Sequence, residues 1–583
     1  MEVADLGSLG AGATIEADLV IIGGGPAGLT IAREFFGTTT RVLVLESGRL
    51  KEEPAITRLN AVESIGEPSS EAQQLKRNDF HGKNSPTWSG AEQAFGVRCR
   101  VLGGSSQAWF GKSAPFDPID FAARDWVPHS GWPFGREALD PFLDRAAAVL
   151  DLGPLHGDNL WEAMGVAPPQ PPFDAELLKS FFWQFARSRL NKTDFMRFGP
   201  EFLTFDPPNV RVLLNATVTR IDTNAEGAAF EGLEISTIDG VRSRVRARAC
   251  VLAASGVENP RLLLASNRVH RDGLGNQHDV VGRFLMDHPG ARIGRFEAAD
   301  TPAMLRRFGF FGLKHGGRAH MYSHGIAPSE ELQRRERLLN CAIYMLEDRA
   351  PNDPWDALRR LLSSRSKRPL ADVMAVASSP GTLAKGVGMR LFDSHLVPER
   401  LKGLVVDALI DYFPNFVVRE AEARGLPRKL AGLHVDGITE QPPDPQSRIT
   451  LSDRTDPLGL PIARVDWRIA EESRRTLVSL AKTASAEFAR IGLPTPRLED
   501  WVAEDRIADS VIIDMGHTLG TTRMSETPKS GVVDATCRVH GVAGLYVAGG
   551  SVFPTSGHAN PTLMILALAI RLADQLKADM GRA

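Results

Sequence analysis

Two segments near the end of the chain hold the residues best suited to chemistry. The first, 516–524, supplies His517, whose imidazole can act as a general base near neutral pH. The second, 544–564, places a short apolar run, a glycine pair and a polar loop before Asn560 and Pro561. Asn is a favoured N-cap and Pro a favoured first helical residue, which predicts a helix from 560 to about 576. Its N-terminus would direct unpaired N–H groups and a partial positive charge at an anionic group.

The roles of the polar residues in these segments have alternatives. One side-chain oxygen cannot both cap a helix and bind a ligand, so Asn560 either caps the helix or contacts the substrate. His558 lies two residues away and is a rival for the part of functional partner. His288, before Pro289, is expected to be structural or to lie behind a bound cofactor.

The N-terminal segment must provide the frame for these residues. A buried strand over 18–22 leads into a glycine-rich turn, a helix over 29–36 and a second strand over 41–45. The turn fits Gly-x-Gly-x-x-Gly in its strand–turn–helix setting, which indicates a dinucleotide pyrophosphate at the helix N-terminus and a ribose on the acid after the second strand. The predicted contact residues are Gly23, Gly25, Pro26, Ala27, Gly28 and Glu46.

The dinucleotide is predicted to be FAD rather than NAD. No second Gly-x-Gly-x-x-Gly turn follows a strand, whereas the apolar run from Leu545 and the helix after it offer a second contact from the far end of the chain. One long dinucleotide held at both ends fits FAD, and the anionic pyrimidine edge of a reduced flavin suits a helix N-terminus. The contact residues expected there are Gly550, Ser551, Asn560, Pro561 and Thr562.

A third segment, 100–109, combines glycines and small polar residues with apolar flanks. Such residues let the backbone approach a planar ring closely. Gly103, Gly104 and Ser105 are therefore predicted to contact the cofactor.

Composition limits the other possibilities. The 583 residues are 43% hydrophobic and 24% charged with a formal net charge of −3, which gives no reason to expect nucleic acid or a membrane as partner. Four scattered cysteines without a CxxC pair predict neither a disulfide framework nor a zinc site, and no metal is expected. The apolar helix over 563–576 is too short for a bilayer core of ~30 Å. No secretory signal is recognised before Val20, so a cytoplasmic address is expected.

The middle of the chain carries weaker patterns. Residues 51–200 are predicted to form loops and short helices, and charged amphipathic helices are expected at 356–362 and 470–491. The basic run from Arg359 to Arg368 is predicted to be a solvated helix face, with membrane docking as the less favoured alternative.

The motifs together resemble the glucose–methanol–choline (GMC) oxidoreductases, a family of FAD-dependent alcohol oxidases and dehydrogenases. The resembling segments are the glycine turn at 23–28, Leu102-Gly-Gly-Ser-Ser106, 254–263 and 516–576. The segments 282–289 and 440–449 are similar to the sugar-oxidising branch, near pyranose oxidase and fructose dehydrogenase.

The resemblance implies a role for several residues. His517 would take the alcohol proton while hydride passes to flavin N5, and Asn560 would orient the substrate oxygen. Val218 would contact the adenine end of FAD. Some relatives attach FAD covalently through a His in the glycine loop; Ala108 stands there in this chain, which implies non-covalent FAD.

The predicted fold is α/β. A Rossmann-like, discontinuous FAD-binding domain is expected over 15–120, 200–290 and 505–583, with 121–199 as connecting segment and pocket wall. An inserted α+β substrate domain built on an antiparallel sheet is expected over 291–504.

The predicted function is FAD-dependent oxidation of a small-molecule alcohol, a sugar or sugar-like polyol, to a carbonyl. Two alternatives remain: a lyase of the same fold whose FAD is redox-inert, and a non-catalytic FAD-binding protein. The electron acceptor and the oligomeric state are left open.

Overall fold

The structure is a computed structural model. It describes residues 1–82, 88–154, 160–164, 167–191, 194–362, 366, 368–394, 396–422 and 429–581. Part of the basic run predicted as a solvated helix face, namely 363–365 and 367, lies outside the described residues.

The strands are short in the first half of the chain and longer in the second. The first twelve are β1 (Glu2–Asp5), β2 (Thr14–Glu16), β3 (Leu19–Ile22), β4 (Val42–Leu45), β5 (Val62–Ser64), β6 (Lys112–Ser113), β7 (Leu178–Phe185), β8 (Val210–Leu214), β9 (Thr217–Thr223), β10 (Phe230–Ser236), β11 (Arg242–Arg246) and β12 (Ala249–Leu252). The others are β13 (Pro289–Glu297), β14 (Phe310–His315), β15 (Arg318–Pro328), β16 (Cys341–Arg349), β17 (Leu430–Thr439), β18 (Arg448–Thr455), β19 (Pro461–Asp466), β20 (Arg497–Leu498), β21 (Ile513–Asp514) and β22 (Leu545–Val547).

The two longest helices have twenty residues each and lie at 471–490 and at 562–581, and five consecutive helices lie within 354–422. The first nine are α1 (Pro26–Glu34), α2 (Pro54–Thr57), α3 (Glu71–His81), α4 (Pro118–Phe121), α5 (Asp140–Leu150), α6 (Leu160–Ala163), α7 (Phe198–Phe202), α8 (Glu258–Ala265) and α9 (Thr301–Phe308). The others are α10 (Glu330–Glu336), α11 (Pro354–Leu362), α12 (Pro369–Ala377), α13 (Pro380–Asp393), α14 (Glu399–Tyr412), α15 (Pro414–Glu422), α16 (Glu471–Arg490), α17 (Asp500–Ala503) and α18 (Thr562–Gly581).

A parallel sheet forms the frame of the nucleotide-binding part. Its six strands run in the order β1-β8-β4-β3-β12-β22, and every neighbouring pair is parallel. Every residue of the neighbouring strands β4, β3, β12 and β22 is buried, which explains their unbroken apolar sequences. Helix α18 packs against α1 and α5. The predicted Rossmann-like α/β architecture is confirmed.

A second, larger sheet is built mostly from the inserted part, and β6, β7 and β21 join it from outside 291–504. Its main path is β20-β13-β17-β16-β15-β7-β6, with β14 paired to β15 and β21 to β13, and its pairings are antiparallel. Helix α16 packs across β13, β15, β16 and β17. This sheet is the antiparallel one predicted for the substrate domain.

Two details differ from the sequence-based predictions. Residues 51–200 contain more than loops and short helices, because β7 pairs with β15 in the large sheet and α5 spans three turns. Strand β7, Leu178–Phe185, is largely buried and lacks the alternation of apolar and polar residues that identifies a half-exposed strand. The last helix begins at Thr562 rather than at Asn560. Within the described residues, no helix is both long and apolar enough to cross a bilayer.

A buried ion pair ties the segment 121–199 to the end of β17. Arg124 donates from Nη1 and Nη2 to the two carboxylate oxygens of Glu440 at 2.8 and 2.5 Å, and both side chains are at most 1% exposed. Glu440 also accepts the backbone N–H of Asn340 at 3.1 Å. Removing one partner would leave the other charge buried without compensation.

We therefore expect Arg124→Met to lower the free energy of unfolding by about 3–5 kcal/mol. The matched control is Arg334→Met, which removes a pair with Glu330 whose side chains are 51% and 52% exposed, and it should cost less than about 1 kcal/mol. Urea unfolding followed by tryptophan fluorescence measures both. Equal losses for the two variants would contradict the importance given to the buried pair.

Candidate active site

One large cavity lies between the two sheets. Its volume of about 570 Å³ falls in the range typical of ligand sites. Residues that follow β3, β4, β12 and β22 line one side, and residues of β14, β15, β16 and β17 line the other. This is the carboxyl edge of the parallel sheet, where open α/β sheets bind their ligands.

The glycine turn after β3 brings backbone into the cavity. Gly23 has φ +108°, and a Cβ there would lie 2.6 Å from the carbonyl oxygen of Ala253. Gly25 precedes Pro26 at the start of α1 and approaches Gly104 so closely that a Cβ on Gly104 would lie 2.9 Å from the Gly25 Cα. Pro26 and Ala27, the first residues of α1, line the cavity, so the N-terminus of this helix lies where a pyrophosphate is expected.

Glu46 occupies the position expected of a ribose ligand. It follows β4, is only 5% exposed, and accepts the backbone N–H groups of Gly24 and Gly48 at 2.9 and 2.7 Å. Burial raises the pKa of its carboxyl group, while these two hydrogen bonds oppose that rise. Glu46 and Val218 both line the cavity. The site fits a dinucleotide such as FAD.

Most of the predicted cofactor residues line this cavity. They are Gly23, Gly25, Pro26, Ala27, Glu46, Gly104, Ser105, Val218, Gly550, Asn560, Pro561 and Thr562, and Ala108 and His517 line it as well.

The other three predicted residues lie behind the wall. Gly28 packs against the backbone of Gly23 within the turn, and Gly103 packs against Gly199. The Ser551 hydroxyl is fully buried and accepts hydrogen bonds from Asn259 Nδ2 at 2.9 Å and Thr522 Oγ1 at 2.8 Å. These three residues therefore support the cavity wall from behind and do not line the cavity.

A chain of hydrogen bonds defines the tautomer of His517. His288 Nε2 lies 3.1 Å from the carbonyl oxygen of Ser556. A carbonyl only accepts, so this nitrogen carries the proton. Burial lowers the pKa of His288 to about 4, so the ring is neutral and its Nδ1 is an acceptor. His517 Nδ1, 3.0 Å away, therefore donates to His288 Nδ1.

The same logic makes the other nitrogen of His517 a hydrogen-bond acceptor. Nε2 lies 3.2 Å from Asn560 Nδ2, whose N–H donates to it. The pKa of His517 is held well below its usual value, first by burial and then by repulsion between its protonated form and the protonated forms of His288 and Lys112. His517 is thus neutral at pH 7, with its basic nitrogen next to Asn560.

The side chain of Asn560 does not cap the last helix. Its Nδ2 contacts His517, and its Oδ1 is buried without a hydrogen-bond partner among the described residues. The helix begins two residues later, at Thr562. Asn560 Oδ1 is therefore an unused acceptor on a residue that lines the cavity.

Buried charges hold the loop that carries His517. Arg77 Nε donates to Asp514 Oδ1 at 2.6 Å, and both side chains are fully buried. Despite burial, the charge of Arg77 holds the pKa of Asp514 below its usual value. Asp287 Oδ1 accepts the backbone N–H groups of Met515 and His288 at 2.9 and 2.8 Å. These contacts fix 514–517 relative to β13.

Lys112 is a cavity residue that the sequence patterns did not identify. Its Nζ lies 3.7 and 3.8 Å from the ring centroids of Trp183 and Tyr344, and no ion pair joins it to a carboxylate of the described residues. Burial lowers its pKa to about 7, against the attraction of Asp436. The only signal in the sequence was a lysine between the aromatic pair at 109–110 and the apolar residues that follow.

The cavity walls around Lys112 and His517 are largely aromatic. The aromatic residues there are Phe80, Trp109, Phe110, Phe185, Phe195, Phe310 and Tyr344. Besides Asn560, the polar residues His81, Ser323, Thr518 and Thr562 also line the cavity.

His558, the rival to Asn560, is not among the residues that line the cavity. It is fully buried against Phe181, and burial lowers its pKa to about 3. Ligand atoms of His558, Asp117 and Asp120 lie within 4.8 Å of one another. Lys179 and Asn340 already donate to these carboxylates.

Comparisons with known proteins agree with this geometry. Residues 443–569 match the family model described as GMC oxidoreductase. The chain is 26% identical to the fructose dehydrogenase large subunit of Gluconobacter japonicus over 64% of its own length and 54% of the relative's. It is 24% identical to 2-methyl-1,2-propanediol dehydrogenase of Mycolicibacterium austroafricanum over 96% of this chain and 95% of the relative.

A solved structure supports the fold. Pyridoxine 4-oxidase from Mesorbium loti superposes with a TM-score of 0.53 at 18% identity, covering 96% of this chain and 99% of that chain. This likeness shows the fold, while the family model and the relatives that align over nearly the whole chain agree with the dinucleotide cavity. The protein is an FAD-dependent alcohol oxidoreductase whose residues 443–569 match the GMC oxidoreductase family model.

Proposed function

We propose that His517 is the base of this enzyme and that a hydroxyl group is oxidised to a carbonyl beside it. The observation that supports this most strongly is the hydrogen-bond chain from Ser556 through His288, which leaves a neutral His517 with its Nε2 lone pair next to Asn560. A neutral imidazole at pH 7 is ready to accept the proton of an alcohol.

Each residue then has a distinct task. His517 Nε2 takes the hydroxyl proton, and Asn560 orients the same oxygen through its amide. The N–H groups of α1 and the carboxylate of Glu46 hold the diphosphate and ribose. FAD, when bound, supplies the acceptor of the hydride. Ala108 lines the cavity and offers no side-chain nitrogen for a covalent bond, which supports non-covalent FAD.

A sugar or sugar-like polyol is the first candidate substrate. It is supported by the similarity to a fructose dehydrogenase subunit and by the segments 282–289 and 440–449. The His517–Asn560 pair acts on one hydroxyl and would accept any of several sugar hydroxyls that reach it.

The cavity walls favour a second candidate, an alcohol with a compact apolar or aromatic body. A polyhydroxylated ligand needs a polar partner for most of its hydroxyls, because unpaired buried polar groups cost binding energy. The side near His517 instead presents mainly aromatic rings with Lys112 as its cation. One of the relatives that align over nearly the whole chain carries the name of a dehydrogenase of a small branched diol.

Anaerobic reduction of the bound flavin tests the reaction and the substrate class together. Sugars, small diols and benzylic alcohols are mixed with the oxidised enzyme, and loss of the flavin absorbance is followed. A true substrate should bleach the flavin; a lyase or a non-catalytic FAD protein would leave it oxidised with every alcohol. A faster reduction by sugars than by apolar alcohols would reject the second candidate.

His517→Ala should slow this reduction by about 10²–10⁴-fold, because the proton has lost its acceptor. Its flavin content should stay unchanged. Acid precipitation, which should leave the flavin in the supernatant, measures the content and tests non-covalent attachment. Wild-type rates in His517→Ala would disprove the role of His517.

His288→Ala should lower kcat by about 10–100-fold, because His517 Nδ1–H loses the acceptor that fixes its tautomer. KM and flavin content should change little. His288→Asn places an amide oxygen near the former Nδ1 and should restore part of kcat. If both variants lose their flavin or unfold to the same extent, and kcat is not restored in His288→Asn, the role of His288 is only structural.

Lys112→Met should move the acid limb of the kcat/KM profile to higher pH. The charge of Lys112 is one of the causes that hold the pKa of His517 low, so its removal raises that pKa and the base becomes protonated at higher pH. Lys482→Met, which changes a 39% exposed lysine paired with Asp505, is the control and should leave the profile in place. An unchanged limb in Lys112→Met would argue against His517 as the titrating base.

A further inference from the structure

One positive charge in the active-site cavity has no counter-charge within ion-pair distance. Among the described residues, four lysine and arginine side chains line the cavity. Three of them are paired with the carboxylate of Glu258, namely Arg98, Arg100 and Arg261. The fourth is Lys112, and no carboxylate of the described chain lies within ion-pair distance of its ammonium group. The cavity therefore holds a cation that is free to meet an anionic group.

Two aromatic rings enclose this ammonium group. Lys112 Nζ lies 3.7 Å from the ring centroid of Trp183 and 3.8 Å from that of Tyr344. Contact with an aromatic face stabilises an ammonium group, but by less than its removal from water costs. Asp436 attracts Lys112 from outside ion-pair distance. The rings thus fix the position of the charge and leave part of it uncompensated.

The number of free donors limits the kind of anion that fits. A protonated lysine has three N–H donors and no acceptor. With a ring face on two sides of Lys112 Nζ, two donors are directed at the rings and one remains for a ligand in the cavity. One donor and one positive charge match a single carboxylate oxygen. A phosphate dianion calls for more donors and more charge than one ammonium group supplies.

The cation belongs to the same side of the cavity as the proposed base. Lys112 and His517 both line the cavity, and repulsion between their protonated forms is one of the causes that hold the pKa of His517 low. The acids that line the cavity belong to the nucleotide side, where Glu46 follows β4 and Glu258 and Asp456 pair with Arg261. A ligand carboxylate beside Lys112 would therefore meet attraction from the lysine without repulsion from these acids.

We propose that Lys112 binds a carboxylate group of the substrate, so that the enzyme oxidises a hydroxy acid. The carboxylate accepts a hydrogen bond from Lys112 Nζ, while the hydroxyl group lies beside His517 and Asn560. The position of the hydroxyl group rests on the proposed function, whereas the carboxylate contact rests on the cavity alone. The carboxylate takes no part in the reaction and leaves unchanged with the carbonyl product.

This inference narrows the second candidate substrate. The aromatic wall suits a compact apolar or aromatic body, and Lys112 suits an anionic end on that body. A neutral hydroxyl or amide group could accept the same N–H, but it would leave the buried charge uncompensated. A carboxylate brings the opposite charge into a site of low polarity, where the attraction is stronger than in water.

Binding of probes that cannot be oxidised tests the contact separately from catalysis. Benzoate and benzamide have nearly the same shape and differ in charge, and phenylacetate and phenylacetamide form a longer pair. Each probe is titrated into the oxidised enzyme with bound FAD, and binding is followed by the flavin absorbance and by calorimetry. The acid of at least one pair should bind about tenfold more tightly than its amide. No preference for the acid in either pair would overturn the proposal.

Substitutions at Lys112 locate the contact. Lys112→Met keeps most of the side-chain length without the charge, and it should weaken binding of the acid by about 10–100-fold and that of the amide by less than about twofold. Lys112→Arg retains the charge and should keep the preference for the acid. The matched control is Lys482→Met, which should bind both probes as wild type does. Equal losses for acid and amide in Lys112→Met, or loss of the preference in Lys112→Arg, would show that Lys112 only shapes the cavity.

A pair of alcohols connects the contact with turnover. The probes are 4-(hydroxymethyl)benzoate and 4-(hydroxymethyl)benzamide, and Lys112→Met should lower the ratio of their kcat/KM values, acid over amide, by about 10–100-fold. If acids bind preferentially but no alcohol bleaches the flavin, the carboxylate contact stands and the proposed oxidation beside His517 is wrong. If alcohols bleach the flavin but Lys112→Met leaves the ratio unchanged, the oxidation stands and the carboxylate proposal is wrong.

Discussion

The hydrogen bond between His288 and His517 joins the two halves of the molecule. His288 immediately precedes β13 of the large sheet, and His517 lies in the loop between β21 and β22, beside the cavity at the edge of the parallel sheet. Ser556, which anchors His288, lies in the loop between β22 and α18. Because three separate segments must meet for one imidazole to have a defined tautomer, the arrangement of the sheets and the protonation of the site depend on the same contacts.

The dinucleotide half of the site could be predicted from the sequence because its chemistry requires local patterns. The turn at 23–28, Glu46 after the second strand and the loop before α18 carry recognisable spacing, and all three line the cavity. The large sheet was predicted only in outline. Its strand β7 is a mostly buried run whose apolar sequence shows no alternation, so the pattern that identifies strands was missing.

The substrate half depends on contacts between distant residues, which spacing does not encode. The position of Lys112 is decided by Trp183 and Tyr344, which come from β7 and β16. Asn560 illustrates the same limit. Its place before a proline is typical of an N-cap, but the partner that occupies its amide is His517, 43 residues earlier in the chain. Tertiary contact overrides the local preference because one side chain cannot satisfy both.

The helices over 354–422 combine attachment and exposure on opposite faces. Their inner contacts reach β14 and β15, and Phe310, Met321 and Ser323 of these strands line the cavity. A change at the inner contacts would therefore be transmitted to the cavity wall, because packed strands do not shift independently.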